Sequence, residues 1–110
     1  MDESTKISRY YHWEERKIAA RMNRELFKER LKMCLDKRVG KNGKTHCSPR
    51  YHATVLEIHR TSMMRYMNPK NPTLPSAEMI FILIDYIKCF MPNFNPAFLF
   101  DQDSKMTFDE

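Results

Sequence analysis

Apolar positions early in the chain fall at helical spacing. Phe27, Leu31, Cys34 and Leu35 recur at i, i+4, i+7 and i+8, the signature of a helix with one face in a core. Upstream, Ile7, Tyr11, Ile18, Met22 and Leu26 fall near one face, interrupted by the polar pair Glu14 and Glu15. The pattern predicts two segments: a core helix over Arg24–Arg38, and an additional helix or arm over Thr5–Arg21 capped by Ser4 or Thr5. Both glycines of the chain follow in the stretch 39–47 (VGKNGKTHC), which reads as a basic, mobile loop.

Ser48-Pro49 then opens a helix, with serine as N-cap and proline at the first helical position, where its missing N–H costs nothing. This short helix ends near Leu56. Another runs from about Arg60 to Met67 and stops before Asn68-Pro69, because the residue before a proline is pushed out of the helical region. Thr73 or Ser76 caps a longer helix reaching about Phe90. Its run Met79–Ile84 has strand propensity, but the apolar pattern continues through Tyr86, Ile87 and Phe90, and that length favours a helix. Asn95-Pro96 starts a last short helix over Ala97–Phe100, followed by an acidic tail expected to fray. The fold class is therefore all-α: a compact five-helix bundle with an extra N-terminal helix or arm. Its organisation is an extension over 1–23, a domain over 24–100 and a tail over 101–110.

Composition narrows the class. The chain has 110 residues, 42% of them apolar, and only two glycines. One core can form at this size without metal or disulfide staples, and the composition argues against disorder and against a turn-rich all-β fold. The net charge is +5 and unevenly placed. Residues 1–50 carry 14 Lys/Arg against 7 Asp/Glu, and residues 73–110 carry 2 against 6. A basic half that meets phosphates and an acidic half that faces away produce such a split, as do merely uneven solvated faces. Cys34, Cys47 and Cys89 are odd in number and irregularly spaced, which reads as reduced thiols in a cytoplasm. The longest apolar run is far shorter than a membrane span, and no targeting segment is visible.

Candidate chemistry is sparse. Cys34, His46, Cys47, His52 and His59 lack zinc-finger spacing, so no metal or cofactor is expected. His46 and Cys47 are assigned to the solvated loop and His52 to a partly buried helix position. There is no glycine-rich phosphate loop and no nucleophile motif, so the chain does not read as an enzyme.

The segment Ser48–Tyr66 is more informative. Ala53 is small where two short helices would press together, and Leu56, Ile58, Met63 and Tyr66 are spaced to face a core. Arg60, Thr61, Ser62, Met64 and Arg65 fall mostly on the opposite face. With its polar cap, the Ala-then-Leu spacing and the aliphatic, polar-tripeptide, aliphatic, arginine order after the turn, SPRYHATVLEIHRTSMMRY resembles the helix-turn-helix of the lambda-repressor/Cro family. Asn71-Pro72 sits where that family often has the same dipeptide. The apolar helix and NPAFLF resemble its fourth and fifth helices, so the resemblance spans about Arg24–Phe100.

The resemblance implies a bacterial or phage transcriptional regulator, acting in the cytoplasm at the nucleoid, that binds a specific double-stranded DNA operator. Arg60–Met67 would enter the major groove, about 12 Å wide, with Arg60, Thr61, Ser62 and Arg65 at base edges. Ser48, Arg50, Asn68, Lys70 and Asn71 would contact phosphates. A homodimer joined through Phe94, Phe98, Leu99 and Phe100 would match palindromic half-sites about 34 Å apart. No small-molecule ligand is implied. Three departures stand out. Glu57 replaces the usual glycine at the turn, which implies either a left-handed residue or a remodelled turn. His59 replaces the usual cap, so Thr61 could cap a later helix start. Residues 1–23 have no counterpart. The alternative is a protein-interaction module reusing the fold, such as an antitoxin-like binder or a phage-encoded inhibitor of a host protein.

Overall fold

The computed structural model describes residues 13–40, 43 and 45–109. Helix α1 spans Trp13–Leu35 without a break, so the expected division between Arg21 and Arg24 does not occur. The run from Glu14 to Asn23 holds neither proline nor glycine, and a helix can continue through it without burying a face. The first part of the predicted extension, with its cap at Ser4 or Thr5, lies outside the described residues. Helix α1 stops at Leu35 rather than Arg38, as Lys37 and Arg38 tighten onto Cys34 and Leu35 in a turn.

Helices α2 (Pro49–Leu56), α3 (Arg60–Met67) and α4 (Ala77–Phe90) follow, then a 3-10 turn, η1 (Pro96–Leu99). The fifth helix expected at Ala97–Phe100 is thus a single tight turn. No strand forms among the described residues; two isolated antiparallel bridges join Val39 to His46 and Phe94 to Thr107. None of the described helices is long and apolar enough to cross a membrane.

The starts of these elements follow local chemistry. Ser48 Oγ accepts from the Tyr51 amide at 3.2 Å and Ser76 Oγ from the Met79 amide at 3.1 Å. Asn95 Oδ1 accepts from Ala97 at 3.1 Å. Each bond satisfies an amide that the helix leaves without a partner.

The core is one cluster. Phe27, Leu31, Cys34 and Leu35 of α1 meet Ala53, Met63, Met67, Leu83, Tyr86, Ile87, Phe94, Phe98 and Leu99. Leu56, Ile58 and Tyr66 pack against it from partly buried positions. Each fully buried Leu, Ile or Met contributes about 1.5–3 kcal/mol over an exposed one. Helix α1 packs against α3 and η1, and α2 against α3. Burial pushes the Cys34 thiol up to about 12, so it behaves as a small hydrophobe rather than a nucleophile.

Three polar features hold the periphery. The Lys28 ammonium is buried and donates to the carbonyls of Asn71 and Thr73, tying the segment after α3 to α1. Arg30 gathers the carbonyls of Phe98, Asp101 and Gln102, each at 2.7 Å, while its guanidinium lies 4.3 Å from the Phe98 ring centroid. The tail after η1 is therefore docked rather than frayed. Asn95 donates to Met106 O at 2.8 Å and Phe108 to Asn93 O at 2.9 Å. The third is the return of the 39–47 stretch: Gly40 donates to Thr45 O at 2.7 Å and Cys47 to Arg38 O at 2.8 Å. Gly43 has φ +69°, a conformation glycine adopts without steric penalty. Cys47 is drawn into the interior rather than left in solvent, whereas His46 stays exposed.

His52 is fully buried, deeper than its expected half-burial. Its Nδ1 lies 2.6 Å from the Tyr86 hydroxyl, and the buried Nε2 has no hydrogen-bond partner. Desolvation, then the Arg38 charge, hold its pKa below the ordinary 6.5. In the unfolded chain the imidazole regains that ordinary value. The stability it confers is complete above pH 6.5 and is lost between there and the lowered folded value. The thermal midpoint is expected to fall on acidification from about pH 7 to about pH 5. His52→Gln, which keeps an acceptor for Tyr86 and cannot be charged, is expected to flatten that fall. An equal fall in the variant would place the acid sensitivity elsewhere.

Candidate nucleic-acid interface

Helices α2 and α3 are joined by Glu57, Ile58 and His59. Glu57 adopts φ 57°, ψ 40°, the left-handed conformation. Its amide bonds Thr54 O at 3.3 Å and the Ile58 amide bonds Ala53 O at 3.0 Å. These are the paired bonds that close a helix C-terminus when the next residue is left-handed. Of the two outcomes expected for this turn, the strained one is found: the turn is not remodelled, and a glutamate occupies the glycine conformation. Ala53, 2% exposed, gives the close approach of the two helices.

Helix α3 begins at Arg60 even though its N-cap, His59, makes no side-chain bond. The later start with Thr61 as cap does not occur. Met63 and Met67 point into the core, with Tyr66 partly buried beside them. Arg60, Thr61, Met64 and Arg65 are exposed and Ser62 is half-buried.

A concavity of about 770 Å³ opens between the start of α2 and the outer side of α3. Ser48 and Arg50 line it from α2, and Arg60, Thr61 and Arg65 from α3. Asn68 and Asn71 close its far end. A second hollow of about 450 Å³ continues toward the turn, shared through Arg50, Arg60 and Thr61. Of the nine residues singled out for base and phosphate contact, seven line the larger concavity. Ser62 does not, being turned toward the core side, and Lys70 is exposed beyond the rim. Asn68 Oδ1 accepts from the Lys70 amide at 3.0 Å and Asn71 Oδ1 from Thr73 at 2.8 Å, so both side chains hold the segment's own turns.

Four cations line the concavity, Lys32, Arg50, Arg60 and Arg65, and no carboxylate does. Lys32 is paired with Asp36 at 2.6 Å. Among the described residues, Arg50, Arg60 and Arg65 make no ion pair. Exposed, uncompensated guanidinium groups of this kind can pair with planar or bidentate acceptors such as phosphate oxygens or guanine edges. Lys32 escaped the sequence reading because α1 reads as a core helix; its signal was its position one turn after Lys28. Met64, 53% exposed, adds an apolar surface at the centre of the face.

The aromatic cluster assigned to a dimer seam is largely consumed within the protomer. Phe94 and Leu99 are fully buried, Phe98 is buried beneath Arg30, and only Phe100 remains exposed, stacked on Phe27 with centroids 5.5 Å apart. The tight turn started by Asn95-Pro96 seats Phe98 and Leu99 in the core with Phe94. Among the described residues, no three His, Cys, Asp or Glu side chains come together as a metal site. Comparison with known proteins returns nothing: no family model, curated protein or solved structure matches the chain.

Replacing Glu57 by glycine relieves the left-handed strain while keeping both closing bonds. Glu57→Gly is expected to raise unfolding free energy by about 1 kcal/mol in denaturant titrations. A destabilised variant would mean that the glutamate side chain makes a compensating interaction.

Proposed function

We propose that the chain is a sequence-specific double-stranded DNA-binding regulator of transcription, built on a lambda-repressor-like helix-turn-helix formed by α2 and α3. The observation that carries this reading is the concavity itself, where seven expected contact residues share one face with uncompensated arginines and no carboxylate. In this reading α3 enters the major groove. Arg60 and Arg65 pair with guanine O6 and N7, Thr61 contacts a base edge, and Met64 touches a thymine methyl. Ser62 acts from the edge of the helix. The start of α2 and the Asn68–Asn71 segment, pinned to α1 by Lys28, hold the backbone on either side. Regulation then works by occupancy of an operator in the cytoplasm of a bacterial or phage-infected cell, without chemistry on the DNA.

Selection of bound sites from a random duplex pool is the primary test: an enriched sequence is expected, and recovery of none would overturn the reading in favour of a protein-binding module. On the enriched site, Arg60→Ala and Arg65→Ala are each expected to cost about 1–3 kcal/mol of discrimination. Equal losses on scrambled DNA in fluorescence anisotropy would mean that they touch only phosphate. Lys70→Ala is expected to weaken binding to all sequences and reduce the slope of log K against log salt by about 1. An unchanged slope would remove Lys70 from the backbone contacts.

A further inference from the structure

Helix α1 carries a line of cations that begins at the concavity and leaves the globule. Lys17, Arg21, Arg24, Lys28 and Lys32 recur every three or four positions. At 3.6 residues per turn they fall within about a quarter of the helix circumference. Lys32 lines the concavity. Lys28 donates to the carbonyl of Asn71, which closes the concavity's far end. Lys70, exposed beyond the rim, directly precedes that asparagine. Arg24 follows Lys28 one turn back along α1. Arg21 and Lys17 lie on the part of the helix, Glu14 to Asn23, that is exposed on every side.

The protomer leaves the outer members of this line uncompensated. Among the described residues, Arg21 and Arg24 make no ion pair. The Arg24 Nε is buried and has no hydrogen-bond partner. Desolvation, then the Arg24 charge, lowers the pKa of the buried Lys28 ammonium one turn away. Like charges at that spacing repel, and an anion seated against them relieves the cost. Glu14 and Glu25 border the line on one side. Glu14 is paired with Lys17 at 3.2 Å, exposed at both ends, and that pair gives way at little cost.

We propose that this line is a second phosphate-binding edge, along which the duplex backbone flanking the α3 site runs against α1. The edge rests on the DNA-binding reading and extends it beyond the helix-turn-helix. Duplex DNA is the occupant because the line is continuous with the concavity through Lys32 and Asn71, and because its members are all cations. From Lys32 to Lys17 the helix advances about 22 Å, which matches about six phosphates of one strand. Contacts of this kind add affinity and set orientation without reading sequence.

Salt titrations of the full chain on the enriched duplex and on a scrambled one, read by fluorescence anisotropy, test the edge. Arg21→Ala is expected to reduce the slope of log K against log salt by about 1, and Arg21→Ala with Lys17→Ala by about 2, equally on both duplexes. The preference for the enriched sequence should not change, which separates this edge from Arg60 and Arg65. Both side chains stand clear of the core and alanine favours a helix, so the thermal midpoint should hold. Arg16→Ala removes the same charge from a position about 120° round the helix from the line, and should leave the slope unchanged. Trimming about six base pairs from one flank of the duplex should lower the slope of the unsubstituted chain to that of the double variant, and leave the double variant unaffected. Equal slopes for the unsubstituted chain and the double variant would overturn the edge while leaving base reading by α3 intact. So would a loss with Arg16→Ala as large as with Arg21→Ala, or indifference to trimming at either flank. A chain that binds no duplex at all would overturn the DNA-binding reading and the edge together.

Discussion

The buried Lys28 ammonium is the interaction on which the geometry of the α2–α3 face depends. It sits below the surface and donates to two carbonyls, those of Asn71 and Thr73. Taking an ammonium out of water is costly unless such partners satisfy it, and desolvation followed by the neighbouring Arg24 charge lowers its pKa accordingly. The lysine thereby converts a proline-rich connection, one that would otherwise wander, into a fixed wall. Asn68 and Asn71 can line the concavity because the backbone that carries them is anchored to the longest helix. A methionine of similar length could pack there, but it would leave two carbonyls without donors.

The same logic organises the rest of the cationic surface. Arg30 and Arg38 look alike in the sequence to Arg60 and Arg65, yet they act inside the protein. Arg30 ties off carbonyls at the end of η1. Arg38 lies over Tyr51, Tyr86 and Phe90 and donates to the Tyr51 hydroxyl at 3.2 Å. What separates structural from available arginines is whether backbone acceptors or aromatic faces converge on them. That convergence is a tertiary property. Net charge therefore overstates the cations available to a partner, and the concavity draws on the remainder.

Much of the architecture was legible in the chain because its determinants are local. Ser48, Ser76 and Asn95 cap where their sequence neighbours demand, prolines bound the short helices, and the Phe27–Leu35 stripe marks the buried face of α1. The features that were not legible rest on partners distant in sequence. Arg30 meets acceptors 68 to 72 residues away, and backbone carbonyls have no sequence signature. The supposed gap at Glu14–Glu15 misled because amphipathicity reports burial, not helicity. An exposed helix can run on through a polar pair without burying a face. The aromatic cluster over Phe94, Phe98, Leu99 and Phe100 was read as an interface because sequence alone does not distinguish a core from an interface, both wanting the same side chains.

The Arg30 clamp also bears on the order in which the molecule is assembled. The inner face of α1 is synthesised before η1 and the residues after it, which complete it. Closing so large a loop is the entropically slow step in such a topology. A nascent chain would therefore hold Phe27 and Leu31 only part-covered until η1 and the residues just after it leave the ribosome. Maturation of this fold waits on η1, and a ribosome stalled before it would display the sticky side of α1 to whatever chaperone waits at the exit.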